Sequence, residues 1–197
     1  MKSSNLVAIG LRAKTGRAIA IVLGGRAEAP IVLAKTELKL VDPKVPETAQ
    51  PYHEVMDLPW EESQRAVQKF ARAIEKVATK AVAELVKQQT SNGMRVRGVG
   101  IVGAPDRDLA RIGNYHIRAH AAEGVLFRAV LHEAAQANGL KWRTFSDKQF
   151  DEATTAELGR QAATVRRAIN ALGRVIAPPW RSDEKQAAAA AWLVLHK

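Results

Sequence analysis

The chain has 197 residues, 47% of them hydrophobic and none of them cysteine, so it can bury a sizeable core in one domain spanning 1–197, and disulfides and thiolate-held zinc are excluded. No run of about 18 apolar residues exists to span a membrane and no signal-peptide core precedes the first apolar segment, so the cytoplasm is the expected compartment. Thirty Lys and Arg against twenty Asp and Glu give a formal net charge of +10, a balance that favours polyanions and makes nucleic acid the first expected partner.

Residues 6–9 and 17–23 are apolar runs joined by Ala13-Lys14-Thr15-Gly16, which reads as a hairpin. Gly24-Gly25-Arg26 turns the chain again. In the longer third strand, 31–41, Val32, Ala34, Thr36, Leu38 and Leu40 share one face and Lys35, Glu37 and Lys39 the other. Residues 42–59 hold four prolines and no period, hence a loop. From Trp60 to residue 89, Trp60, Val67, Phe70, Ala71, Ile74, Val77, Ala78, Ala81 and Leu85 keep helical spacing, and Ser91-Asn92-Gly93 stops the helix. A fourth strand, 95–102, is Gly-rich and apolar, and an irregular stretch follows it. A second helix is expected over 117–137 and a fifth strand over 140–145. A helix over 151–172, a proline-closed loop over 173–180 and a last helix over 182–195, capped by Ser182, complete the chain. Trp60, Trp142 and Trp192 read as core residues.

Three antiparallel strands, then helices alternating with further strands, predict an α/β fold: a mixed five-stranded sheet with helices on both faces. Within that order, the last helix opens Ser182-Asp183-Glu184-Lys185-Gln186-Ala187 after a Pro-containing loop. The chain thereby resembles the RuvC-type Holliday-junction resolvases, a metal-dependent branch of the ribonuclease H-like superfamily. The resemblance covers most of the length in element order more than in identity. It implies a ribonuclease H-like domain, a homodimer, and a last helix that starts with an Asp and usually carries a second three residues on. Asp183 matches the first, and Gln186 stands in place of the second. The other family acids have no counterpart: the Asp expected after the first strand falls at Gly10, and the Glu expected near the end of the fourth falls within 100–103, where no acid stands. Two-metal phosphodiester cleavage needs carboxylates on both ions. The resemblance therefore implies a degenerate catalytic site.

Other residues stand where that site would be. Stepping back along the second helix from its apolar stripe (Phe127, Val130, Leu131, Ala134) gives Glu123, His120 and His116. These could ligate a divalent metal of unassigned identity, grip a phosphate, or act as acid and base. Histidines that merely cap the helix, and a Glu123 paired with Arg12, Arg118 or Arg128, are the structural alternative. Tyr52 and His53 lie in the proline-rich loop, as a cover for the cleft or as loop anchors. Arg12 and Lys14, near the end of the first strand, either make an anion site or are solvated hairpin charges. Asp106 and Asp108 offer carboxylates after the fourth strand, or simply form a turn. Arg160, Arg166, Arg167, Arg174 and Arg181 make the C-terminal third basic and suited to phosphate contacts.

The reading ranked first is a protein that binds structured nucleic acid and lacks standard two-metal cleavage, with Arg12, His116, His120, Glu123 and Asp183 lining the cleft. The alternatives are a metal-assisted phosphoester hydrolase on the His/Glu site and a non-catalytic protein-interaction scaffold.

Overall fold

The computed structural model describes residues 5–196. Three antiparallel strands open the chain: β1 (Leu6–Lys14), β2 (Arg17–Arg26) and β3 (Ala29–Lys39). After a loop come α1 (Trp60–Ser91), β4 (Arg95–Gly103), α2 (Tyr115–Ala137) and β5 (Trp142–Ser146). The chain continues with α3 (Phe150–Leu158), α4 (Ala162–Leu172) and α5 (Ser182–His196). The sheet order is β3-β2-β1-β4-β5, with β4 parallel to β1 and β5 parallel to β4. This is the mixed five-stranded sheet with helices on both faces that the element order predicts.

Side chains alternate across a strand, and here the alternation separates two cores. Val7, Ile9, Leu11 and Ala13 of β1 join Ile74, Ala78, Phe127, Val130 and Leu131 in the layer made with α1 and α2. Ala8 of β1, with Ile21 and Leu23 of β2, joins Val165, Ile169, Ala187, Ala191 and Trp192 in the layer made with α4 and α5. The even-numbered residues of β1, Arg12 and Lys14 included, therefore face α5.

Two glycines set how close α5 comes. Gly10 and Gly100 are paired neighbours on β1 and β4. A Cβ added at Gly10 would stand 1.7 Å from the Ala187 carbonyl oxygen, and one at Gly100 would stand 2.6 Å from that of Ala190. The helix answers with alanine: Ala187, Ala188, Ala190 and Ala191 are all fully buried. Small residues on both partners let a helix backbone rest directly on the sheet.

Local differences from the expected elements have physical causes. β1 and β2 run on through Lys14 and Arg26, so each hairpin turn has only two residues between paired positions. A bulge in β3 pairs Val22 with Ala34 but Leu23 with Val32. It inserts Leu33, and a residue count of one moves later side chains to the opposite face. Val32 therefore packs toward α4 and α5 while Ala34, Leu38 and Leu40 pack toward α1 and α2; the five do not share one face, and Thr36 is exposed. The helix expected over 151–172 is broken at Gly159, whose φ is +52°. Trp142 is 39% exposed on the edge strand, packed on His132 at 3.8 Å between ring centroids, and Trp60 is half-buried at the start of α1. Trp192 alone of the three is core, and its indole N–H donates to the Ala27 carbonyl at 3.1 Å. Ser182 is the first residue of α5, and the cap bond comes instead from the Arg181 backbone N–H to the Glu184 carboxylate at 2.8 Å. Among the described residues, no helix is long and apolar enough to cross a membrane.

Candidate functional site

At the C-terminal end of β1, the α5 face carries an ion network. Arg12 is 9% exposed, and its guanidinium spans two carboxylates: an Nη atom donates to Asp147 at 3.0 Å, and Nε lies 3.3 Å from Asp183. Its other Nη donates to the Ala13 carbonyl at 2.9 Å. Lys14 Nζ sits 3.2 Å from Asp183 on the same side. Asp183 comes from the first turn of α5, and Asp147 follows β5, where its backbone N–H donates to the Gly103 carbonyl at 2.8 Å. A planar, permanently charged fork suits this bridging role better than an ammonium would.

The β1 side chains that meet Asp183 are thus those of Arg12 and Lys14, both cations. Position 10 lies deeper, under the backbone of α5, with no room for an acid. The β4 residue paired with Arg12 is Val102, which is fully buried against Phe150 and Ala190. Gln186, one turn into α5 from Asp183, keeps its Oε1 buried without a hydrogen-bond partner, as does Oδ1 of Asp147. The acids present are held by cations of the chain itself, and positions 10, 102 and 186 carry a glycine, a valine and an uncharged glutamine. Beside this network, α3, α4 and α5 line an open cleft of about 350 Å³ whose polar lining includes Arg166, Asn170, Ser182, Lys185 and Gln186.

A second cluster stands at the same end of the sheet on the opposite face. Asn114 caps α2 by accepting the Ile117 N–H at 2.9 Å, which places both His116 and His120 on the helix, one turn apart. Their Nε2 atoms face each other at 3.1 Å. His53 reaches them from the loop before α1, with ring centroids 5.0 Å from His116 and 4.4 Å from His120. Glu123 is fully buried one helical turn before Phe127 and accepts from His53 twice, from Nδ1 at 2.8 Å and from the backbone N–H at 3.3 Å. Its other oxygen and Nε2 of His53 are buried without hydrogen-bond partners. The arginines that could have neutralised Glu123 are engaged otherwise: Arg12 as above, Arg128 with Asp106, and Arg118 with the Ile112 carbonyl at 2.7 Å.

The loop that carries His53 is itself pinned. Thr48 is fully buried; its hydroxyl donates to the Val45 carbonyl at 2.6 Å and accepts the Asp42 N–H at 2.9 Å. Tyr52 stacks on Trp60 at 5.7 Å, and burial pushes its phenol above the usual range, so it stays neutral. Tyr52 and Thr48 are anchors that fix His53 rather than a cover over it.

The residues expected to form one cleft therefore fall into two groups. His116, His120 and Glu123 join His53 on the α2 side, whereas Asp183, Arg12 and Lys14 join Asp147 on the α5 side. Arg166 borders the open cleft next to the second group, and Arg167 and Arg181 are exposed on α4 and just before α5. Asp108 serves structure, accepting the Ala110 N–H at 3.2 Å and pairing with Arg111 at 3.1 Å. Asp147 has no local motif in the sequence; its only signal is an acid directly after a short strand. His53 is visible in the sequence, but its 63-residue separation from His116 hides the grouping.

No protein-family model matches the chain, and no curated protein does. Among solved structures it is similar to RuvC of Thermus thermophilus, with a TM-score of 0.52 at 15% identity over 94% of this chain and 90% of that one. It is likewise similar to T. thermophilus RuvC solved in complex with a Holliday junction substrate, with a TM-score of 0.50 at 16% identity over 95% and 90%. The chain has the RuvC-like, ribonuclease H-like fold.

Proposed function

We propose that this chain is a single ribonuclease H-like domain that binds structured nucleic acid and does not perform two-metal strand cleavage. The observation that carries the second half is the Arg12 guanidinium, paired with Asp147 and Asp183 where β1 meets α5. Two divalent ions need carboxylates free to bridge them. A cation built into the strand neutralises those carboxylates and repels the ions.

Binding itself is supported by the net charge of +10, by exposed Arg166, Arg167 and Arg181 beside the α5 cluster, and by the likeness to a fold that in another protein engages a Holliday junction. Arginine contacts to phosphate release counterions, so affinity falls with salt in proportion to the number of phosphates neutralised. Replacing Arg166, Arg167 and Arg181 together with Glu is expected to weaken binding to every nucleic acid. It also lowers the salt slope by about one for each phosphate that is no longer neutralised. Fluorescence anisotropy across a salt series measures both. An unchanged slope and affinity in the triple variant would put the binding surface elsewhere and refute this assignment.

A further inference from the structure

We infer that His53, His116 and His120 form a three-histidine site for a zinc-class divalent cation, with Glu123 as the carboxylate that orients His53. One ligand atom from each of the three imidazoles can be chosen so that all lie within 4.8 Å of one another. These residues occupy the α2 face, so the site stands or falls independently of nucleic-acid binding on the α5 face.

Four observations converge on it. Two imidazoles one helical turn apart point their Nε2 atoms at each other at 3.1 Å. Two nitrogens on a tetrahedral zinc, each at 2.0–2.1 Å, stand about 3.3 Å apart, so a small adjustment admits the ion. Without a cation, a 3.1 Å approach requires one ring to supply a lone pair to the other's N–H, and it gives His53 nothing to bond.

His53 supplies the second observation. Its Nδ1 is committed to Glu123 at 2.8 Å, so Nε2 is the ring nitrogen left to meet an ion, and that atom is buried without a partner. Metal-bound histidines characteristically donate their other N–H to a carboxylate. Glu123 is the third: a fully buried carboxylate that bonds two groups of His53 through one oxygen and leaves the other unsatisfied. A nearby cation offsets what burial of such a charge costs. The fourth is pre-organisation. The loop bearing His53 is held by Thr48, by the Tyr52–Trp60 stack, and by the Ser63 hydroxyl, which lies 2.9 and 3.1 Å from the Val55 and Leu58 carbonyl oxygens.

An all-imidazole donor set selects zinc-class transition metals over magnesium or calcium, which prefer oxygen. His116 and His120 are exposed, so the remaining coordination position opens to solvent, the arrangement of a site that carries water or an exchangeable ligand.

The test uses tag-free, chelator-stripped full-length protein. Zn²⁺ binding is measured by calorimetry, and Co²⁺ is added to read coordination from its visible absorption. The expected result is one ion per chain with the intense bands of four- or five-coordinate Co²⁺. His53→Ala and His120→Ala each abolish the bands, and circular dichroism checks that both variants stay folded. Glu123→Gln weakens Zn²⁺ binding about 10–100-fold. His132→Ala, a histidine outside the cluster, changes neither readout. Absence of stoichiometric binding, or binding that survives His53→Ala unchanged, would overturn the site.

Discussion

At the scale of single residues, Arg12 carries the most consequence. It stands at the end of β1, two residues beyond Gly10, where the resemblance places a catalytic acid, and it makes ion pairs with two carboxylates that come from the end of β5 and from α5. Removing one partner of an enclosed pair costs roughly 3–5 kcal/mol. Asp147 and Asp183 are 24% and 34% exposed, so solvent screens part of that cost. Arg12→Ala is expected to destabilise the fold by about 2–3 kcal/mol in urea denaturation, and Arg12→Lys restores little, since an ammonium cannot span both acids. A loss below about 1 kcal/mol would mean that the network behaves as an ordinary surface pair. The sequence shows Arg12, Lys14 and Asp183 as candidates, but their grouping with Asp147 depends on where β5 ends relative to β4. That is a tertiary fact with no local signature. The same holds for His53, whose partner Glu123 lies 70 residues away.

Elements follow from pattern where the period is long and fail where one residue decides. The spacing of Val67, Phe70, Ile74, Ala78 and Leu85 specifies α1, and all five are buried as that spacing requires. The bulge at Leu33 is different: one inserted residue reverses which side chains face which core, and nothing in an alternating run announces it. The split between α3 and α4 rests on Gly159 alone. In α5 the alanine run makes sense only once the glycine seat beneath it is known. Gly10→Ala forces a methyl group against the Ala187 carbonyl, and over-packing of this kind costs about 3 kcal/mol, at the top of the usual range. Gly113, with nothing within 4 Å of an added Cβ, is the matched control. Gly113→Ala is expected to shift stability by less than about 1 kcal/mol. Equal denaturation midpoints for the two variants would show that α5 can lift from the sheet at little cost.

For the molecule as a whole, the sheet divides the chemistry. One face presents a cation-filled acid site beside an arginine-bordered open cleft, and the other presents three histidines backed by a buried carboxylate. Element order and the opening of the last helix are sufficient to reach this fold, because strand sequence and crossover rules prune topologies severely. They cannot assign residues to faces at the end of the sheet where a helix start, a strand end and a distant loop meet. Charge is the remaining whole-molecule property, and it bears on association rather than architecture. The most direct test incubates the protein with a labelled four-way junction, duplex DNA, single-stranded DNA and RNA, with Mg²⁺ or Mn²⁺ present, at about 50 and 200 mM salt. Anisotropy reports binding, and denaturing electrophoresis of the same samples reports strand integrity. Salt-sensitive binding that favours the junction, with every strand left intact, is the expected result. Metal-dependent cleavage, or no binding to any of the four, would contradict it.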